Sequence, residues 1–197
     1  MNITKLRRIK KLYFGYDEIA RALGIKTASA RVTASRYVRQ GIVLRIKRNI
    51  YALKEKWYNL AQEELFAIAN IAQVPSYVSL ASALGYHEIS TQIQRGFVES
   101  IAVKRTKEIT LDGVVFKYVK IKRALYGGFE KKNEFFIACP EKALLDAAYL
   151  VLLDRYKIDM RALDFSKLDN ARLKRLAKPY PKGVMKILEE HGYTAKA

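Results

Sequence analysis

Hydrophobic residues recur at helical spacing from the first residues onward. Ile3, Leu6, Ile9 and Leu12 fall on one face, with Lys5, Arg7, Arg8, Lys10 and Lys11 between them. This predicts an amphipathic helix with a basic outer face, ended by Phe14-Gly15. Tyr16–Leu23 predicts a short second helix, with Asp17 and Glu18 in the first turn, where the helix dipole favours acids. Gly24 suits the left-handed residue that stops a helix. Thr27 reads as the N-cap of a third helix over Ala28–Gln40, with Ala30, Ala34, Tyr37 and Val38 on its apolar face. Gly41 closes it. Val43/Leu44 and Ile50–Leu53 then read as two short strands around a tight Lys47-Arg48-Asn49 turn, where Asn tolerates positive φ.

Beyond residue 57 the pattern predicts a helix over Trp57–Gln73, broken by Pro75, then a strand at Tyr77–Ser79 and a helix over Leu80–Tyr86. The period becomes two over 97–122. Phe97–Val103 is one strand, and Glu108–Leu111 and Val114–Ile121 form a hairpin around Asp112-Gly113. Phe135–Ala138 is a further strand candidate. Pro140-Glu141 opens an apolar helix through Leu153, and short helices follow near Asp169–Ala177 and Lys182–Gly192. The expected fold is α+β: an N-terminal winged helix-turn-helix (1–57) and a mixed α/β domain with a small antiparallel sheet (58–197).

Charge sharpens this reading. The chain of 197 residues carries 37 Lys/Arg and 19 Asp/Glu, a net +18. Residues 1–57 hold 15 basic and 3 acidic residues (+12), against +2 for 58–138 and +4 for 139–197. Such concentration calls for a polyanionic partner. On the third helix, Ser29, Thr33 and Arg36 lie opposite the apolar face, with Val32 and Arg39 at the edges. Arg can bind guanine bidentately, and Val or Thr methyls can touch thymine. The expected DNA-binding residues are therefore Thr27, Ser29, Arg31, Thr33, Arg36 and Arg39 on the helix and Arg45, Lys47 and Arg48 on the hairpin, aimed at double-stranded DNA. The alternative at this point is a three-helix packing domain with a solvated basic face.

Other chemistry is sparse. Cys139 stands alone, and His87 and His191 are far apart in sequence, so no metal or cofactor is expected. No phosphate-binding glycine loop appears. Glu108, Asp112 and Lys117 are the one candidate acid–acid–Lys set for a nuclease, competing with a reading as hairpin-edge charges. Phe97, Phe116 and Tyr118 read as core residues or as base-stacking platforms. Asp146, inside an apolar helix, reads as half of a buried pair with a Lys or Arg, or else as facing a groove. The longest apolar stretch is too short to span a bilayer, and no secretory signal opens the chain, so no membrane partner is expected and the location expected is cytoplasmic.

Three stretches carry a family resemblance: Arg45–Leu53 at the end of the basic module, Tyr77-Val78-Ser79-Leu80-Ala81-Ser82-Ala83-Leu84-Gly85-Tyr86-His87, and Pro140-Glu141-Lys142-Ala143-Leu144-Leu145-Asp146. In this order the chain resembles the AbiEi-type antitoxins of type IV toxin–antitoxin and abortive-infection systems. The resemblance implies an N-terminal winged helix that binds inverted repeats in the promoter of its own operon. It also implies a C-terminal domain that counters a nucleotidyltransferase-like toxin without needing a stable complex. Residue pattern and charge support the DNA-binding half alone. A winged-helix regulator without a toxin, and an interaction module for an acidic partner, are the competing functions.

Overall fold

The computed structural model describes residues 3–92 and 95–193. The chain divides into two compact units, Met1–Ile68 and Ala69–Ala197. The helix α5 (Gln62–Ala72) crosses that division.

The first unit contains α1 (Ile3–Leu6), α2 (Tyr16–Leu23), α3 (Thr27–Arg39), an antiparallel hairpin of β1 (Val43–Lys47) and β2 (Ile50–Leu53), and α4 (Lys54–Trp57). Leu6, Phe14, Ile19, Ala30, Tyr37 and Leu53 belong to its core. Gly24, at φ +68°, ends α2 with its N–H on the Ala20 carbonyl, and Ile25 N–H joins the same oxygen at 3.1 Å. The chain thus turns sharply into α3, as glycine at this position allows.

Two helices are shorter than the hydrophobic period predicts. The first stops at Leu6, not Leu12, because Phe14 must be extended to pair with Tyr51: each residue's N–H meets the other's carbonyl at 2.9 Å. Tertiary pairing here overrides local periodicity. Likewise Trp57 ends α4 and does not begin the next helix. Glu64 reaches back to the Ala61 N–H at 2.8 Å and starts α5 afresh.

The second unit is built on a six-stranded sheet in the order β5-β6-β4-β3-β8-β7. Its strands are β3 (Ser76–Val78), β4 (Phe97–Ala102), β5 (Lys107–Leu111), β6 (Val114–Lys120), β7 (Phe129–Lys132) and β8 (Phe135–Ala138). The sheet is larger than expected and mixed: β4 runs parallel to β6, and β3 parallel to β8. The reason is topological. After β4 the chain skips a place outward to form β5, then returns as β6 between them. Helices α6 (Leu80–Tyr86), α7 (Pro140–Leu152), α8 (Asn170–Ala177) and α9 (Lys182–Glu190) complete the unit. β7 carries Glu130, Lys131 and Lys132 at the sheet edge, so its sequence has no alternation to betray a strand. Phe116 and Tyr118 are fully buried, which removes them as base-stacking platforms.

Candidate nucleic-acid interface

α3 is held by a narrow stripe. Ala30, Ala34 and Tyr37 are buried, while Ser29, Arg31, Val32, Ser35, Arg36 and Arg39 are exposed and Thr33 is half-buried. Small residues on the packed side and arginines on the other side leave most of the helix surface open to a ligand.

Thr27 requires a correction. It is the first helical residue rather than the N-cap; Lys26 occupies the cap, with its carbonyl accepting from Ala30 N–H at 3.0 Å. The Thr27 hydroxyl instead donates to Asp17 Oδ1 at 3.2 Å. It therefore fastens α3 to α2.

The hairpin follows directly. Arg45 and Arg48 are exposed and Lys47 is half-buried. Register shifts between Arg45 and Lys47, so the strand is bulged there. Asn49 holds φ +58° at the turn, and its Oδ1 accepts from Tyr16 N–H at 2.7 Å. The Tyr51 and Tyr16 hydroxyls lie 3.3 Å apart. Hence the hairpin is tied to the start of α2 at its tip and through its second strand. Burial pushes the Tyr51 phenol up to about 12, with Arg45 and Arg31 pulling the other way. A strand arginine and a helix arginine thus act on one hydroxyl, which brings the helix and hairpin cations into one neighbourhood.

The acids of this unit are engaged elsewhere. Glu55 meets Arg7 at 2.7 Å, and Glu18 meets Lys11 at 2.7 Å and Arg21 at 3.6 Å. Arg31, Arg36, Arg39, Arg45 and Arg48 form no salt bridge among the described residues. The Arg36 guanidinium lies 5.7 Å from the Tyr37 ring. Val32, 70% exposed, is an apolar side chain in the middle of this polar surface.

The remaining candidates are separated. Glu108 stands opposite Lys117 in the β5–β6 register, whereas Asp112 is at the hairpin turn, about 13 Å away along the strand. Lys117 faces Glu99 instead, at 3.8 Å. Glu99 also accepts from the Tyr156 hydroxyl at 2.6 Å, and burial raises its carboxyl above the ordinary range. Among the described residues no three His, Cys, Asp or Glu side chains gather as a metal site. His87 caps α6 and its Nε2 lies 2.8 Å from the Ala138 carbonyl, which fixes that nitrogen as the donor. Burial pushes the Cys139 thiol up to about 11, away from thiolate reactivity. No described helix is long and apolar enough to cross a membrane.

The fold resembles the crystal structure of the Rv2827c protein from Mycobacterium tuberculosis, with a TM-score of 0.59 over 96% of this chain and 75% of that one, at 14% identity. At that identity the likeness is one of fold. No curated protein matches the chain significantly. Residues 2–54, the segment that carries Arg31, Arg36, Arg39, Arg45 and Arg48, match the AbiEi antitoxin family of transcriptional regulators.

Proposed function

We propose that this protein is a DNA-binding antitoxin that represses its own operon. Residues 1–57 act as a winged helix-turn-helix, with α3 as the recognition helix and the β1–β2 hairpin as the wing. Residues 58–197 serve to counter a nucleotidyltransferase-like toxin, a step that rests on the family resemblance. The observation that carries the DNA reading is the set of five arginines, on α3 and the hairpin, without a carboxylate partner among the described residues, in a segment matching this regulator family.

Each residue has a distinct task in this reading. Arg36, with Ser29 and Thr33, enters the major groove, while Arg31 and Arg39 flank it toward the phosphates. Arg45, Lys47 and Arg48 lie against the backbone beside the groove. Thr27 contributes by fixing the helix through Asp17. Nothing in this mechanism needs a metal or a cofactor, because recognition proceeds by hydrogen bonding and charge.

The test is a binding titration on duplex DNA from directly upstream of the gene, at several salt concentrations. Arg36→Ala and Lys47→Ala/Arg48→Ala should each weaken binding, the double variant also flattening the salt slope by up to about two units. Wild-type affinity in both variants would remove these residues from the interface. A nucleotidyltransferase-like reading frame adjacent to the gene, whose toxicity is relieved by this chain, tests the antitoxin half.

A further inference from the structure

Phe97 and Glu99 are two residues apart on β4, so both project from one face of the sheet. Val115 and Lys117 stand beside them on β6 in parallel register and share that face. A second wall comes from the chain leaving α7. Asp154 takes φ +52°; its N–H meets the Val151 carbonyl at 2.9 Å, and the Arg155 N–H meets the Leu150 carbonyl at 2.8 Å. This Schellman closure turns the chain off the helix axis. Arg155 then ties the segment to the end of β6, donating to the Lys120 carbonyl at 3.3 Å, and Tyr156 reaches Glu99. Between the walls lies an open cleft of about 440 Å³, lined by Phe97, Glu99, Lys117 and residues 154–157. Small-ligand sites span roughly 300–1,000 Å³.

The cleft holds a buried polar pair. The Glu99 side chain is 3% exposed and the Lys117 side chain 35%. Glu99 Oε2 accepts from the Tyr156 hydroxyl at 2.6 Å. Oε1 has Lys117 Nζ at 3.8 Å, too far for a hydrogen bond. An acceptor and a donor thus stand side by side with a gap between them. Burial disfavours the ionised carboxyl, so a further N–H donor at Oε1 stabilises it. Aromatic side chains flank the pair: Lys117 Nζ lies 5.8 Å from the Tyr156 ring centroid, and Phe97 is half-buried. Asp154, Arg155 and Lys157 are exposed at the rim. Lys117, Arg155 and Lys157 against Glu99 and Asp154 give the lining a net +1.

We propose that this cleft binds a free mononucleotide, with the edge of its base between Glu99 and Lys117 and its phosphate at Arg155 and Lys157. Every natural base presents an N–H beside a carbonyl oxygen or a ring nitrogen. Such an edge donates to Glu99 Oε1 and accepts from Lys117 Nζ together. Phe97 and Tyr156 offer the base the apolar contact that stacking side chains supply. A lining of net +1 suits one phosphate group and not a polymer, whose further phosphates gain little beside Asp154. All these residues lie in the second unit, so the proposal stands apart from the DNA reading of the first.

The test is calorimetric titration of the full chain with AMP, GMP, CMP and UMP and with the matching nucleosides. At least one monophosphate should bind at a single site, about tenfold tighter than its nucleoside. Lys117→Met should weaken nucleotide and nucleoside alike by about tenfold. Lys157→Gln should weaken the nucleotide about threefold and leave the nucleoside unchanged. As an exposed substitution it also guards against a folding defect in the first variant. Lys174→Gln/Arg175→Gln, exposed on α8, should alter neither affinity. Absence of saturable binding by all four monophosphates up to about 1 mM overturns the proposal. Wild-type affinity in both Lys117→Met and Lys157→Gln overturns it, and so does a nucleoside that binds as tightly as its monophosphate. The DNA reading is tested separately by Arg36→Ala on duplex and survives any of these results.

Discussion

Lys142 and Asp146 lie one turn apart on α7 and form a salt bridge with side chains 2% and 0% exposed. Around it Tyr77 donates to Asp146 Oδ2 at 2.9 Å, Ser79 to the same oxygen at 2.8 Å, and Tyr180 to Oδ1 at 2.8 Å. The network joins β3, the residue that follows it, α7 and the segment before α9. Removing one charge strands the other in the core, at a cost of about 3–5 kcal/mol. Lys142→Met and Asp146→Leu should each lower the urea unfolding free energy by that amount. The double variant should lose less than the sum of the two, because no charge remains uncompensated. Single variants within about 1 kcal/mol of wild type would show that the tyrosines and serine suffice to hold either group alone.

Glu18 predicts a pH dependence. The Lys11 ammonium at 2.7 Å and the Gly15 N–H at 2.9 Å hold its carboxyl at about 2, below the 4.5 of a free glutamate. A group depressed on folding stabilises the protein above its unfolded pKa, and that contribution is lost as pH falls toward the folded value. Glu18→Gln should therefore be about 1–2 kcal/mol less stable than wild type at neutral pH. The gap should narrow between about pH 5 and pH 2. A pH-independent difference would assign the loss to packing at the α2 terminus.

Much of this organisation was legible in the chain. Gly24, Asn49 and Gly113 announce turns through their tolerance of positive φ, and all three adopt it. The spacing of Ala30, Ala34 and Tyr37 predicts which side of α3 is buried. What stayed hidden depends on partners distant in sequence. Leu12 continues a helical period, yet Tyr51 pulls the chain extended at Phe14. β7 has no alternation because it is a charged edge. The parallel pairing of β4 with β6 has no local signal. Thr27 carries the right residue type for a cap, but the helix begins one residue earlier and Asp17 takes the hydroxyl.

Asn49 should prove a positioning residue for the hairpin. It supplies a left-handed turn residue at φ +58° and an acceptor for Tyr16 N–H at 2.7 Å. Glycine would preserve the first and lose the second; alanine loses both. Asn49→Ala is expected to cost about 1–2 kcal/mol in thermal unfolding and Asn49→Gly about half of that. Gly15→Ala should be costly as well, since its added Cβ would lie 3.0 Å from the Asn49 carbonyl oxygen. In each case duplex affinity should fall with the hairpin's stability. Equal melting of Asn49→Ala and wild type would mean that the turn holds without this residue.

Val32 bears on sequence preference. It is 70% exposed, three residues after Ser29 and four before Arg36, so the three share a face of α3. A valine there gains nothing from water, while the 5-methyl group of thymine in a major groove offers it an apolar partner. Duplexes selected from a random pool by the wild-type chain should then contain a thymine that Val32 reads. Replacing that thymine by uracil deletes the methyl and should weaken wild-type binding about fivefold, on the order of 1 kcal/mol. Val32→Ala should bind the thymine duplex about as weakly as wild type binds the uracil duplex, and should be indifferent to the exchange. Phosphate contacts are untouched by either change, so the salt slope should be the same in all four combinations. If Val32→Ala still distinguishes thymine from uracil at every position that wild type does, another side chain reads the methyl and the orientation of α3 in the groove must be turned accordingly.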